Sequence, residues 1–174
     1  LRAIFCDGNR GQKWYDFEAA LALEQAGLGI IPRAAAQEIA AQAQVANVDL
    51  EAIAAEIRRI KHPLVPALRA LQKQCRGDFG EYVHFGPTTQ DVLDTGMVLQ
   101  VKQAHAIFLR DLCEVGRELY RLAETYRNTP MVGRTHVVQA LPITFGHKCA
   151  VWLSEISRHF ERMRQLEPRV FVGI

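Results

Sequence analysis

Two short stretches of this sequence carry more polar chemistry than a chain turn requires. The first is EYVHFGPTTQDVLDTG, residues 81–96. Thr88 reads as the N-cap of a helix and Asp91 sits three residues on, a capping-box spacing with Asp in place of the usual Glu or Gln. The same residues also suit an anion site. A helix start presents unpaired N–H groups and a partial positive charge, Thr88 and Thr89 add hydroxyl donors, and Gly86 allows close approach. A carboxylate is the natural ligand of such a socket. Both readings stand at this level: a well-made helix start alone, or a helix start that also grips an acid.

The second stretch is GRTHVVQALP, residues 133–142. His136 can give or take a proton near neutral pH, and Thr135 and Gln139 can hydrogen-bond a carboxylate or orient the imidazole. A lone loop histidine is more often a surface residue, so His136 gains weight only from a partner cluster. His84, between Tyr82 and Phe85, reads first as a buried ring and second as a site residue. His62 precedes Pro63 at a helix break. His105, His147 and His159 fall along long helices without an ExxH pair, and are expected to be solvated or intersubunit residues rather than metal ligands.

The elements that must position these groups read as helices. DFEAALALEQAG from Asp16 to Gly27 is rich in good helix formers, with Gly27 as a C-cap candidate. RAAAQEIAAQAQ follows Pro32, VDLEAIAAEIRRI has Asp49 as N-cap, and LVPALRALQKQC ends near Gly77. From Thr88 to about Tyr126 runs one proline-free stretch with Met97, Val101, Ala104, Phe108, Leu112, Val115, Leu119, Leu122 and Tyr126 on one face. Such a helix is roughly 55 Å long at 1.5 Å per residue. RNTPMVGRTHVVQALP is expected as a loop, with a new helix starting at Pro142. That helix would carry Phe145, Cys149, Trp152, Ile156, Phe160 and Met163 on one face. No period-two alternation calls for a strand.

The expectation is therefore an all-α chain. Residues 1–85 form a small N-terminal helical domain, and residues 86–174 the first long helices of a central bundle. Two seams of this length exceed what the chain can bury alone, and the apolar tail RVFVGI has no cap, so further helices and a C-terminal truncation are expected. A net charge of +2 gives no case for nucleic acid or an anionic membrane as partner. No apolar run reaches membrane-span length. The scattered Cys6, Cys75, Cys113 and Cys149 form no metal spacing and favour a reducing, cytoplasmic setting.

Taken together and in this order, VHFGPTTQDVLDT and GRTHVVQALPITFG resemble the fumarase/aspartase superfamily, in its branch of adenylosuccinate lyase and 3-carboxy-cis,cis-muconate cycloisomerase. The opening LRAIFCDGNRGQKWYDFEAALALEQAGLGIIP is similar to that branch too, so the resemblance covers nearly the whole chain. It implies a homotetrameric, nearly all-helical lyase acting on a small di- or tricarboxylate, without metal or cofactor, whose active sites draw on three subunits. The implied reaction is β-elimination with fumarate release from a succinyl-substituted amine. By resemblance His136 is the general acid and His62 a second active-site histidine. Thr88 and Thr89 match a substrate-binding Thr-Ser pair, and Gln90, Thr135, Gln139, His84 and Arg10 complete the substrate-binding set. Adenylosuccinate lyases read GRTHxxHAEP where this chain has Gln139 and Leu141; Gln90 and QALP lean to the cycloisomerases, which often lack the histidine that His136 retains. The serine loop that supplies the base in this family would lie beyond Ile174, and part of a nucleotide phosphate site before Leu1. Lactone formation is the second reading, and a non-catalytic helical scaffold the third.

Overall fold

The computed structural model describes residues 1–172. The chain divides into two compact units, residues 1–103 and residues 104–170.

The first unit opens on α1 (Asp7–Gly27), which begins nine residues before the expected Asp16. Two glycines in its first turns weaken the helix signal, but packing uses one of them: a Cβ on Gly11 would lie 3.3 Å from Val45. Cys6 caps the start through Sγ. The end is a Schellman motif: Ile30 N–H donates to Gln25 O and Gly29 N–H to Ala26 O, with Gly29 at φ +74°. The left-handed glycine is thus Gly29 rather than Gly27. α2 (Arg33–Gln42) follows Pro32, and α3 (Leu50–Ile60) is capped by Asp49, whose carboxylate accepts from Glu51 N and Ala52 N. α4 (Val65–Gln74) and a 3-10 segment (Gly77–Tyr82) lead to α5 (Thr89–Thr125). Tyr15, Ala22, Ile39, Leu64, Leu71, Val83 and Val92 form the core. The Tyr15 hydroxyl donates to Ala67 O at 2.8 Å, and burial raises its pKa to about 12.

The first turns of α5 pack with this unit, and the compact division falls after Gln103. Val92 is fully buried, a Cβ on Gly96 would meet Trp14 Cδ1 at 2.8 Å, and the Gln100 amide donates to Ile4 O at 2.6 Å.

The second unit holds the rest of α5, a β-hairpin and α6 (Phe145–Val170). The hairpin corrects the expected loop: β1 (Pro130–Thr135) pairs antiparallel with β2 (Val138–Thr144), with an irregularity at Gly133. It escapes a periodicity test for a physical reason. Alternation marks a sheet with one buried face, and nearly every residue of this ribbon is exposed or half-buried. Pro142 is tolerated because a two-stranded ribbon has only edges. α6 accordingly starts at Phe145, where Thr144 Oγ1 accepts from His147 N. Gly146 lets α6 approach the end of α5: a Cβ there would lie 2.5 Å from Ala123 O and 2.7 Å from Arg127 Cα. Tyr126 and Phe145 meet edge to face at 5.3 Å. Phe108, Val115 and Trp152 remain 44–45% exposed, so the long seams are not buried within this unit. Among the described residues no helix is long and apolar enough to cross a membrane.

Two stability predictions follow from specific contacts. Buried Glu38 accepts from Arg76 Nη2 at 2.7 Å and from Arg76 Nε at 3.1 Å, and that pairing lowers its pKa from 4.5 to about 2. A depressed carboxyl pKa contributes stability that is whole above 4.5 and lost as pH falls toward about 2. The urea midpoint should therefore fall through that interval, and Glu38→Gln should flatten the fall; an unchanged slope contradicts it. Gly146→Ala forces a Cβ onto backbone and should destabilise by about 1–3 kcal/mol, read as a lowered thermal midpoint.

Candidate active site

The helix start singled out by the sequence is held from beneath by α1. Its buried face runs Gly11, Trp14, Tyr15, Glu18, Ala22, Ala26, an apolar seam interrupted by one acid. Glu18 is 1% exposed, and its Oε1 lies 2.7 Å from His84 Nδ1. Burial pushes the Glu18 carboxyl above the usual carboxylate range, and the contact with His84 pulls it partly back. Glu18 Oε2 is buried and has no hydrogen-bond partner among the described residues. Two turns along α1, Gln25 donates from Nε2 to Phe85 O at 2.6 Å. These contacts grip a chain that turns sharply: His84 is left-handed at φ +63° and Gly86 at φ +98°. A Cβ on Gly86 would sit 3.7 Å from Gln25 Nε2, so it is the backbone angle that requires glycine there.

α5 begins three residues after this turn. The Thr88 N–H donates to the Asp91 carboxylate at 2.8 Å, which forms one half of the capping box. The reciprocal bond, from the Asp91 N–H to the Thr88 hydroxyl, is not made, and neither threonine hydroxyl has a hydrogen-bond partner among the described residues. The capping reading of the motif is met in part, since Asp91 takes the Thr88 N–H while neither hydroxyl is engaged within the described residues. Gln90 is turned along the helix, its Nε2 donating to Asp94 Oδ1 at 2.7 Å.

His62 and Arg10 are engaged elsewhere in the same unit. His62 Nδ1 accepts from Leu64 N at 3.3 Å and Val65 N at 3.1 Å, capping the start of α4. An accepting Nδ1 places the proton of the neutral ring on Nε2. Arg10 pairs with Asp7 at 2.6 Å and lies 5.7 Å over the Trp14 ring. It rims a cavity of about 240 Å³ lined with Trp14, Tyr15, Leu50, Ile53 and Ile57. No hydrogen bond joins His62 or Arg10 to Thr88 or Thr89 among the described residues.

In the second unit, Thr135, His136 and Gln139 gather at the hairpin tip. Thr135 pairs with Val138, which leaves His136 and Val137 as a two-residue turn with φ +46° and +67°. Two left-handed residues in a hairpin are the hallmark of a type I′ turn, normally built from Asn and Gly. Left-handed backbone costs about 1–2 kcal/mol per non-glycine residue, most for a β-branched one. The strain therefore falls on the histidine that the sequence singled out and on its neighbour. Gly133 is required by a backbone approach, since its Cβ would lie 2.5 Å from Leu141 O. Along the hairpin and α6 runs a groove of about 840 Å³ with Arg134, His147 and Lys148 on its walls; Lys148 Nζ sits 4.9 Å over the Trp152 ring.

Glu18 and Gln25 escaped the sequence reading. The available signal was an acid on the buried seam of α1, a placement that requires a partner. The strained turn was hidden inside a stretch read as loop.

Comparison with known proteins sharpens these observations. The profile of the family described as Lyase matches residues 1–174. N-acetyl-S-(2-succino)cysteine lyase of Enterococcus italicus is 50% identical over 173 residues, 99% of this chain and 38% of that protein. Adenylosuccinate lyase of Pyrococcus abyssi is 41% identical over 173 residues, again 99% of this chain and 38% of the relative. Among solved structures, 3-carboxy-cis,cis-muconate lactonizing enzyme of Pseudomonas putida superposes with a TM-score of 0.94 at 38% identity, covering 97% of this chain and 39% of its own. The chain thus spans about 38% of the length of the curated relatives it matches. The family match across all 174 residues, the helical fold and the agreement with these relatives place this chain in the lyase family of the fumarase/aspartase superfamily.

Proposed function

We propose that the protein containing this chain is an elimination lyase that releases fumarate from a succinyl group carried on a heteroatom. β-Elimination removes a proton next to one carboxylate and expels the heteroatom from the neighbouring carbon. Negative charge builds on that carboxylate as an aci-carboxylate, so donors fixed at its oxygens lower the barrier. The observation that carries the reading is the start of α5, where two threonine hydroxyls without internal partners crown a helix N-terminus whose approach is clamped by Glu18 and Gln25. His136, on its strained turn, takes the part of the acid that protonates the leaving atom, as the resemblance implies. Thr135 and Gln139 are read as its companions at the substrate, and Gln90, His84, His62 and Arg10 as residues whose present partners are exchanged or supplemented when the site is complete.

The nature of the leaving atom is open to a chemical argument. Adenylosuccinate lyases expel nitrogen, and this chain departs from their GRTHxxHAEP at Gln139 and Leu141. The relative at 50% identity is named for a succinylated thiol. A thiolate, with a parent pKa near 8.5, leaves with far less need of protonation than an amine. We therefore place a succinyl thioether first and a succinyl amine second. Lactone formation remains a second reading, favoured by the 0.94 TM-score to a muconate lactonizing enzyme. The half-exposed seams of α5 and α6, with Phe108, Val115 and Trp152, are read as surfaces covered by other copies in a homotetramer with shared sites.

The test is turnover of the native full-length protein on N-acetyl-S-(2-succino)cysteine, adenylosuccinate and 3-carboxy-cis,cis-muconate. Fumarate from the thioether is expected; lactone from the muconate alone would replace this reading with the second. Loss of a general acid costs about 10²–10⁴-fold in rate where the leaving atom must be protonated, so His136→Ala should fall in that range on adenylosuccinate and by less on the thioether; an unchanged rate on the amine contradicts its assignment as the acid.

A further inference from the structure

We propose that Glu18 is a positioning residue for the carboxylate socket, acting through His84 and seconded by Gln25. The inference rests on the reading of Thr88 and Thr89 as that socket. A carboxylate on a buried helix seam is costly unless a partner takes up its oxygens. Glu18 is 1% exposed, burial raises its pKa, and one of its oxygens has no partner among the described residues. An apolar side chain of similar volume avoids that desolvation. What the acid does accomplish is local. It receives His84 Nδ1 at 2.7 Å and so holds that residue at φ +63°, a conformation few side chains adopt. Gln25, seven residues on and on the same side of α1, fixes the next peptide by donating to Phe85 O at 2.6 Å. Gly86 then turns at φ +98°, and the chain enters α5 with Thr88 exposed and Thr89 half-buried at its first turn. The two contacts determine where those hydroxyls stand without touching a ligand themselves. A displacement of about 1 Å at a binding group is enough to weaken it severely.

A merely structural Glu18 would lower stability and leave the affinity of folded protein unchanged. A positioning Glu18 is coupled to the threonines. The experiment is calorimetric titration of the native full-length protein with fumarate, in a double-mutant cycle of Glu18→Leu and Thr88→Val. Each single change is expected to weaken fumarate by about tenfold, the worth of one charge-assisted hydrogen bond, and the double variant by little more than either alone. Glu18→Gln, which keeps an acceptor for His84 Nδ1, should restore affinity to within about threefold of wild type. If Glu18→Leu does not fold, Gln25→Leu takes its place in the cycle with the same expectation. Wild-type affinity in the folded variant, or single effects that multiply in the double, overturns the role of Glu18 while the socket stands. An unchanged affinity in Thr88→Val overturns the socket itself, and this inference with it.

Discussion

A buried carboxylate holding an imidazole beneath a chain turn is the contact on which the entry of the chain into α5 depends. Glu18 and His84 meet at 2.7 Å with Glu18 almost fully out of water. Removing one partner of this pair leaves the polar atoms of the other without their hydrogen bond in a poor solvent. The turn it secures cannot be supplied by ordinary backbone preference. Two of the three residues from His84 to Gly86 are left-handed, and the peptide between them is held by Gln25. α5 therefore begins from a fixed point, and the Thr88 hydroxyl that a complete capping box would engage is left without a partner among the described residues.

The second unit stores its constraint differently. There the backbone itself is strained, at the two-residue turn of His136 and Val137, and the flanking strands over-determine it through the pairs Thr135–Val138 and Pro130–Thr144. Gly133 and Gly146 show how tightly this ribbon is seated, since a methyl group at either would enter backbone. Strain of this kind persists when something is gained from the geometry it enforces. Among the described residues only four non-glycines have positive φ, and two of them, His84 and His136, are histidines that the sequence had already marked for chemistry.

Much of this was legible in the residues. The long helix from Thr88, the Asp49 cap and the exposed seam through Phe108 and Val115 follow from period and capping chemistry, which are local signals. The family is legible in GPTTQD and GRTH because both motifs, in this order, resemble the fumarase/aspartase superfamily, and the family match spans residues 1–174. The hairpin was not legible, because a ribbon without a buried face imposes no alternation. The beginning of α1 was masked by Gly8 and Gly11, one of which is there for close packing. Glu18 and Gln25 act on residues about sixty positions away in the chain. No local pattern announces such pairs, although an acid on an apolar seam hints that a partner exists.

Crystals of the native protein grown with fumarate put the socket to the most direct trial. The open hydroxyls and the clamped turn predict one ligand carboxylate within hydrogen-bonding distance of Thr88 and Thr89, with the Glu18–His84 contact intact beneath it. A ligand bound elsewhere, with the start of α5 empty and closed over by its own side chains, would contradict the reading of that helix end as a carboxylate site.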